Sequence, residues 1–327
     1  MKTNTDKKIL AYLQKNGQAR PVQLIRHLQI TGAALHRQLN KLLNKGLIVK
    51  AGKSPVVFYL LKQKVTDSRS VRFSENSKKI IDQHYAYLSP QGELLMGTAG
   101  FYQWFINSSQ NNSLEVLAKE YCRIRQQFLP DKNLIDATKK IKQTFSKVYV
   151  NKLFYQDFYS LPQFGKTKLG LLVLHAKQSQ NKVLVKQIAQ LIKSQILKLI
   201  KRYNIQAVAF IPPSLPRKIQ FLKELELELD LFLPKIKLVK VYQGEIIVPQ
   251  KSLRKLNERV INARQTIMIN QEFIENCQRI LLIDDAVGSG ATFNQAAKKL
   301  KQNFMIKKVY AFAPVGSLKG FPVIAGV

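Results

Sequence analysis

Two adjacent acids, Asp284 and Asp285, follow the apolar run Ile280–Ile283 and precede a loop of small residues, Ala286–Ala291, that ends at Thr292. Only 20 of the 327 residues are acidic, so two side by side at a strand end are costly to place by chance. Gly288, Ser289 and Gly290 allow a tight turn that aims several backbone N–H groups into one concavity, and a helix opening near Thr292 adds the positive end of its dipole there. N–H donors beside two carboxylates suit a phosphorylated sugar, with phosphate on the loop and ribose hydroxyls on the acids. The same residue types also fit an ordinary strand–turn–helix junction, a phospho-acceptor aspartate or a Mg²⁺-holding pair.

To hold such a site, the C-terminal half must supply a sheet. Lys168–His175 reads as a strand, Ile188–Tyr203 as a long amphipathic helix, Ile205–Ile211 as a buried strand, Leu222–Leu229 as a helix and Ile236–Tyr242 as a strand. Ile280–Ile283, Thr292–Asn303 and Val309–Ala313 complete a β/α alternation, which predicts an α/β domain over 158–327 with a mainly parallel sheet. Ligands of such sheets sit beyond the carboxyl ends of the strands. Another such end carries Pro212, Pro213, Pro216, Arg217 and Lys218, a stiff loop closing in two cations.

The run Ile280-Leu281-Leu282-Ile283-Asp284-Asp285-Ala286-Val287-Gly288-Ser289-Gly290-Ala291-Thr292 resembles the phosphoribosyl-pyrophosphate (PRPP) loop of type I phosphoribosyltransferases. The resemblance implies a Rossmann-like fold, Asp284 and Asp285 on the ribose hydroxyls, Ala286 to Thr292 around the 5-phosphate, and Mg²⁺ bound with PRPP. It also implies that Arg217 and Lys218 lie where that family places its pyrophosphate loop. Gln250, Leu253, Glu258, Arg259 and Asn262 are similar to the segment before the PRPP loop in competence protein F-like members. On that comparison Lys251, Arg254, Lys255 and Arg259 belong to a hood over the diphosphate. The family's Arg-Gly-Phe-Asn-Gln string and N-terminal zinc-binding cysteines are absent. No certain catalytic side chain stands out; Phe312–Val327 is the candidate lining of a base pocket.

Of the 327 residues 46% are apolar and 9% aromatic, enough for more than one core. No apolar stretch is long enough to span a bilayer, and the first ten residues hold no signal-peptide core. Cys122 and Cys277 stand far apart and the four histidines lack metal-ligand spacing. Reduced thiols, a cytoplasmic location and no metal held by protein side chains alone are expected. The net charge of +33 favours polyanionic partners, although a Lys-rich proteome would also produce it. Its distribution is more informative. Residues 1–66 carry one acid, Asp6, against thirteen Lys or Arg, and Phe158–Lys223 carries none.

The first of these tracts has its own pattern. Ile9, Leu10 and Leu13 form one helical stripe and Leu24, Ile25 and Leu28 a second; Thr31 caps a third with Leu35, Leu39, Leu42 and Leu43. A turn at Ala51–Pro55 and the β-rich Val56–Leu61 follow. Over residues 1–65 this order resembles bacterial winged-helix transcription regulators, which implies that the third helix enters the major groove. Thr31, Ala33, His36, Arg37, Asn40 and Lys41 would then face DNA, with Lys50 and Lys53 on phosphates of the wing. A winged helix used for protein contacts is the competing reading.

Residues 66–157 are expected to connect the two outer domains, to mediate dimerisation or to sense a second ligand. Strands over Tyr85–Leu88 and Glu93–Met96, helices over Leu114–Phe128 and Leu134–Phe145, and an aromatic cluster around Trp104 are predicted there. The layout resembles the winged-helix purine repressors of some Gram-positive bacteria. That implies a homodimeric DNA-binding regulator with PRPP or a nucleotide as effector. An active phosphoribosyltransferase with an accessory winged helix is the alternative, and a nucleic-acid adaptor with a vestigial PRPP loop a third.

Overall fold

The computed structural model describes residues 5–62, 73–108, 110–128, 134–270, 277–303 and 306–317. It divides into two compact units, Met1–Ser70 and Val71–Val327, each with a separate core.

The first unit contains α1 (Thr5–Asn16), β1 (Gln18–Ala19), α2 (Pro21–Leu28), α3 (Gly32–Asn44), β2 (Ile48–Lys53) and β3 (Val56–Leu61). Pro21 starts α2 where a missing N–H costs nothing, and the Thr31 Oγ1 accepts from Ala34 N at 3.2 Å to cap α3. Leu35, Leu39 and Leu42 fall on one helical face and are wholly buried with Ile9, Leu13 and Leu24. β2 and β3 pair antiparallel from Ile48↔Leu61 to Lys53↔Val56, and β1 adds to β3, giving three helices and a wing.

The second unit begins with α4 (Glu75–His84), β4 (Ala86–Leu88), β5 (Leu94–Met96), α5 (Gly97–Asn107), α6 (Leu114–Phe128), β6 (Ile135–Asp136), α7 (Thr138–Thr144) and β7 (Lys152–Phe158). It continues with β8 (Ser160–Leu161), β9 (Gly165–Lys166), α8 (Lys168–Gln178), α9 (Lys182–Tyr203), β10 (Ala207–Phe210), α10 (Phe221–Leu229), β11 (Leu238–Lys240), α11 (Leu256–Thr266) and β12 (Ile267–Ile269). β13 (Arg279–Ile283), β14 (Ala286–Val287), α12 (Ala291–Asn303) and β15 (Lys308–Gly316) close it. The main sheet runs β10-β13-β15-β7-β6, parallel except for β6, with β14 extending along β15. Ile280–Ile283 lie fully buried between two parallel neighbours. Each such side chain contributes about 1.5–3 kcal/mol relative to an exposed one.

Three expectations change. Lys168–His175 is not a strand but the body of helix α8, capped by Thr167, whose Oγ1 accepts from Gly170 N at 3.0 Å. Leu169 to Val173 are all buried, so the run shows no helical period, and a buried helix and a buried strand look alike by periodicity. Gly170 is needed because a Cβ there would collide with the Tyr159 carbonyl. Leu134–Phe145 divides into the short strand β6 and the helix α7. Within Ile236–Tyr242, only Leu238–Lys240 is a strand, and it leaves the main sheet to pair antiparallel with β12. Residues 152–157 of the connecting or dimerisation stretch lie in β7 of the main sheet, and the aromatic cluster of that stretch shares the core of the whole unit.

That aromatic cluster packs Phe101 against Tyr85 (5.0 Å between ring centroids), Trp104 (5.2 Å) and Tyr121 (5.7 Å). Beside it, Arg125 Nη1 of α6 meets Asp157 Oδ1 of β7 at 2.9 Å, with side chains only 3% and 7% exposed. Asp157 Oδ1 also accepts from Phe158 N. Burial, with the positive Arg125 and Lys168 nearby, lowers the pKa of His84 to about 3, so its 3.9 Å approach to Asp157 is that of a neutral imidazole at ordinary pH. Removing one partner of such a pair strands a buried charge. Arg125→Met is therefore expected to cost about 3–5 kcal/mol in denaturant unfolding, and the paired change Arg125→Met/Asp157→Leu is expected to recover much of it.

Candidate functional site

Parallel register brings two loops to one sheet edge. Phe210 of β10 lies opposite Ile283 of β13, and Ile283 opposite Phe312 of β15. Ile211 N donates to Ile283 O at 2.9 Å and Asp284 N to Phe312 O at 3.1 Å, so the proline-rich loop and the acid pair leave the sheet as neighbours. Between them opens a cleft of about 180 Å³ lined by Lys177, Pro212–Leu215, Arg217, Lys240, Gln250, Asp284, Asp285 and Thr292, among others.

The acid pair is set by its own backbone: Asp284 Oδ1 accepts from Asp285 N at 2.7 Å. The loop then turns through Gly290, at φ +76°, where side chains are disfavoured, and Ala291 N donates to Ser289 Oγ at 3.4 Å. Val287, Ser289, Gly290 and Ala291 are buried, Asp284, Asp285, Ala286 and Thr292 half-buried, and Gly288 exposed. α12 starts at Ala291 and is clamped by buried Asn294, whose Oδ1 accepts from Tyr149 N (2.7 Å) and whose Nδ2 donates to Lys147 O (2.9 Å). A helix N-terminus thereby faces the cleft at Thr292.

Two cations that the sequence pattern did not single out line the cleft with these acids. Lys177, in the last turn of α8, forms an ion pair with Asp285 Oδ2. Lys240, at the end of β11, donates to Ser214 Oγ at 2.5 Å; burial lowers its pKa, while the charge of Asp284 acts in the other direction. Reading α8 as a strand hid Lys177, and Lys240 came from a strand outside the main sheet. The usable signal was that each closes an apolar run: Leu169–Ala176 and Leu238–Val239.

Of the expected pyrophosphate ligands, Arg217 lines the cleft and its Nη1 donates to the Lys177 carbonyl, whereas Lys218 is exposed and not among the lining residues. Tyr242 Oη braces the same loop by donating to Ser214 O at 3.3 Å. In the expected hood, Arg259 of α11 is half-buried. Its Nη1 comes within 3.7 Å of where a Gly288 Cβ would stand, and its Nε donates to Leu253 O at 2.9 Å. Arg254 and Lys255 are exposed and do not line the cleft; the Lys251 side chain lies outside the described residues. So do residues 318–327, most of the expected base-pocket lining.

In the first unit, Thr31, Ala33, His36, Arg37, Asn40 and Lys41 of α3 and its cap are all exposed, as is Lys50 of the wing. Thr31 is engaged in capping, and Lys41 Nζ meets Asp6 Oδ2 at 2.8 Å, so the single acid of this region spends itself on one of the expected DNA contacts. The Lys53 side chain lies outside the described residues. Arg20 stacks over Phe58 of the wing at 5.3 Å.

Residues 2–49 match the family model of winged helix-turn-helix DNA-binding domains. No curated protein sequence gives a significant match. Among solved structures, ZitR of Lactococcus lactis is 20% identical over 39% of this chain and 75% of its own, at a TM-score of 0.18. A hypoxanthine phosphoribosyltransferase from Staphylococcus aureus is 15% identical over 42% of this chain and 65% of its own, at 0.26. An adenine phosphoribosyltransferase from Trypanosoma brucei is 13% identical over 56% of this chain and 82% of its own, at 0.23.

Gly290→Val is expected to lower stability by about 1–2 kcal/mol in denaturant unfolding, because a β-branched residue resists the left-handed turn. The chain thus combines an N-terminal winged helix-turn-helix, matched over residues 2–49, with an α/β unit built on a mainly parallel sheet.

Proposed function

We propose that this protein is a DNA-binding transcription regulator whose phosphoribosyltransferase-like unit takes PRPP or a nucleotide as effector, acting as a cytoplasmic homodimer. The observation that carries the reading is the cleft, in which two adjacent acids and a helix N-terminus share one lining with Arg217, Lys177 and Lys240. That set matches a ligand with vicinal hydroxyls and a multiply charged phosphate end. Support for the DNA half comes from α3, whose buried leucine face leaves His36, Arg37 and Asn40 outward on a unit almost without acid. In a homodimer two such helices would meet successive half-sites. The effector would change DNA affinity only by the difference in its affinity for two arrangements of the protein, typically about 1–3 kcal/mol.

The approach of Arg259 to Gly288 favours a second reading, an active type I phosphoribosyltransferase with the α11 segment closing over the diphosphate. Pyrophosphate release from PRPP with a panel of nucleobases separates the two, since a pure sensor releases none.

Asp284→Asn/Asp285→Asn is expected to weaken PRPP binding by tenfold or more in calorimetry, about 1.4 kcal/mol or above, with the circular dichroism spectrum unchanged. Unaltered affinity would remove the site assignment. Arg37→Ala is expected to cost about 1–3 kcal/mol of DNA affinity in a gel-shift titration, and an undisturbed shift would exclude α3 as the reading helix.

A further inference from the structure

Asp285 of the cleft already has a cation, and a second stands near Asp284. Lys177 and Asp285 are paired with side chains only 21% and 17% exposed. Lys240 sits in the field of Asp284 and is fixed by Ser214 Oγ, while Arg217 is anchored on the Lys177 carbonyl. Three cations and two acids therefore line one cleft. A Mg²⁺ ion at a phosphate site is held by one or two carboxylates together with substrate phosphates and waters. Here Asp285 is already paired with the Lys177 ammonium and Lys240 lines the cleft in the field of Asp284, so both carboxylates lie beside cations that repel a divalent ion. The residues of this cleft do not fit Mg²⁺.

We infer that Lys177 and Lys240 take the place of the divalent cation, so that the phosphoribosyl ligand binds this chain without Mg²⁺. The inference rests on the ligand reading proposed above and deepens it. The Lys177 ammonium pairs with Asp285, and Lys240, held by Ser214 Oγ, adds its charge near Asp284. When a phosphorylated ribose enters, its hydroxyls donate to Asp284 and Asp285, and the two lysines turn their N–H donors toward the phosphate oxygens beside Arg217. Charge compensation is kept throughout, because the cations are covalently part of the protein. Lysine is suited to this role because its ammonium is a compact point charge on a flexible stem, able to serve two neighbouring anions in turn.

The test is calorimetric titration of the full chain with PRPP and with ribose 5-phosphate, each in EDTA and in Mg²⁺. The expected result is PRPP affinity in EDTA within about threefold of that in Mg²⁺, and a Lys177→Gln/Lys240→Gln variant in which Mg²⁺ tightens PRPP binding by about tenfold or more. Lys177→Arg retains a cation and is expected to keep the metal independence, which guards against a double variant that fails to fold. Wild-type binding of PRPP that appears only with Mg²⁺ overturns the inference while leaving the ligand reading intact. If neither ligand binds in either buffer, the ligand reading itself falls and the inference with it.

Discussion

Two negative charges at the end of a buried strand must be compensated, and much of the second unit is arranged to do so. Ile280–Ile283 are immobilised between β10 and β15, which fixes Asp284 and Asp285 at the sheet edge with little freedom to turn away. Carboxylates held there lose hydration on one side, so cations must come from elsewhere in the chain. α8 brings Lys177, the β11–β12 ribbon brings Lys240, and the proline-rich loop brings Arg217. The small-residue loop and α12 then add N–H donors and a dipole to the same cleft. A cleft where cations, carboxylates and N–H donors meet is suited to a polar, many-charged guest.

The same rule of compensation recurs one strand beyond β15. Asp157 ends β7 as Asp284 follows β13, but it is closed in by Arg125, Tyr121 and His84 beneath an aromatic cluster. One carboxylate of the sheet edge is thus sealed as a buried ion pair and the others are left open to a cleft. The difference lies in what meets each acid: His84 of α4 and Arg125 of α6 close over Asp157, whereas Asp284 and Asp285 line a cleft.

Excess positive charge has its own logic. In the first unit Asp6 is spent on Lys41, and the rest of the exposed face of α3 carries no acid to oppose a phosphate backbone. The leucines that bury that helix also decide which residues remain outward, so packing and recognition are settled by one periodicity.

The sequence by itself determined the parts governed by local chemistry. The Thr31 cap, the Leu35–Leu39–Leu42 stripe, the β13 run and the glycine-bearing loop after Asp285 are each specified by neighbours within a few residues, and each forms as expected. α8 looks like a strand in sequence because its residues are buried nearly all round, which erases the periodicity that separates helix from strand. Nor could the sequence reveal that β7 completes the main sheet or that Lys177 and Lys240 come to the cleft of the acids. Those residues are 108 and 44 positions away from Asp285 and Asp284 in the chain. The parallel register of β10, β13 and β15, set by burial of their shared apolar faces, puts the acids beside the proline-rich loop, and the packing of α8 and the β11–β12 ribbon adds the two lysines, which is a property of the tertiary structure alone.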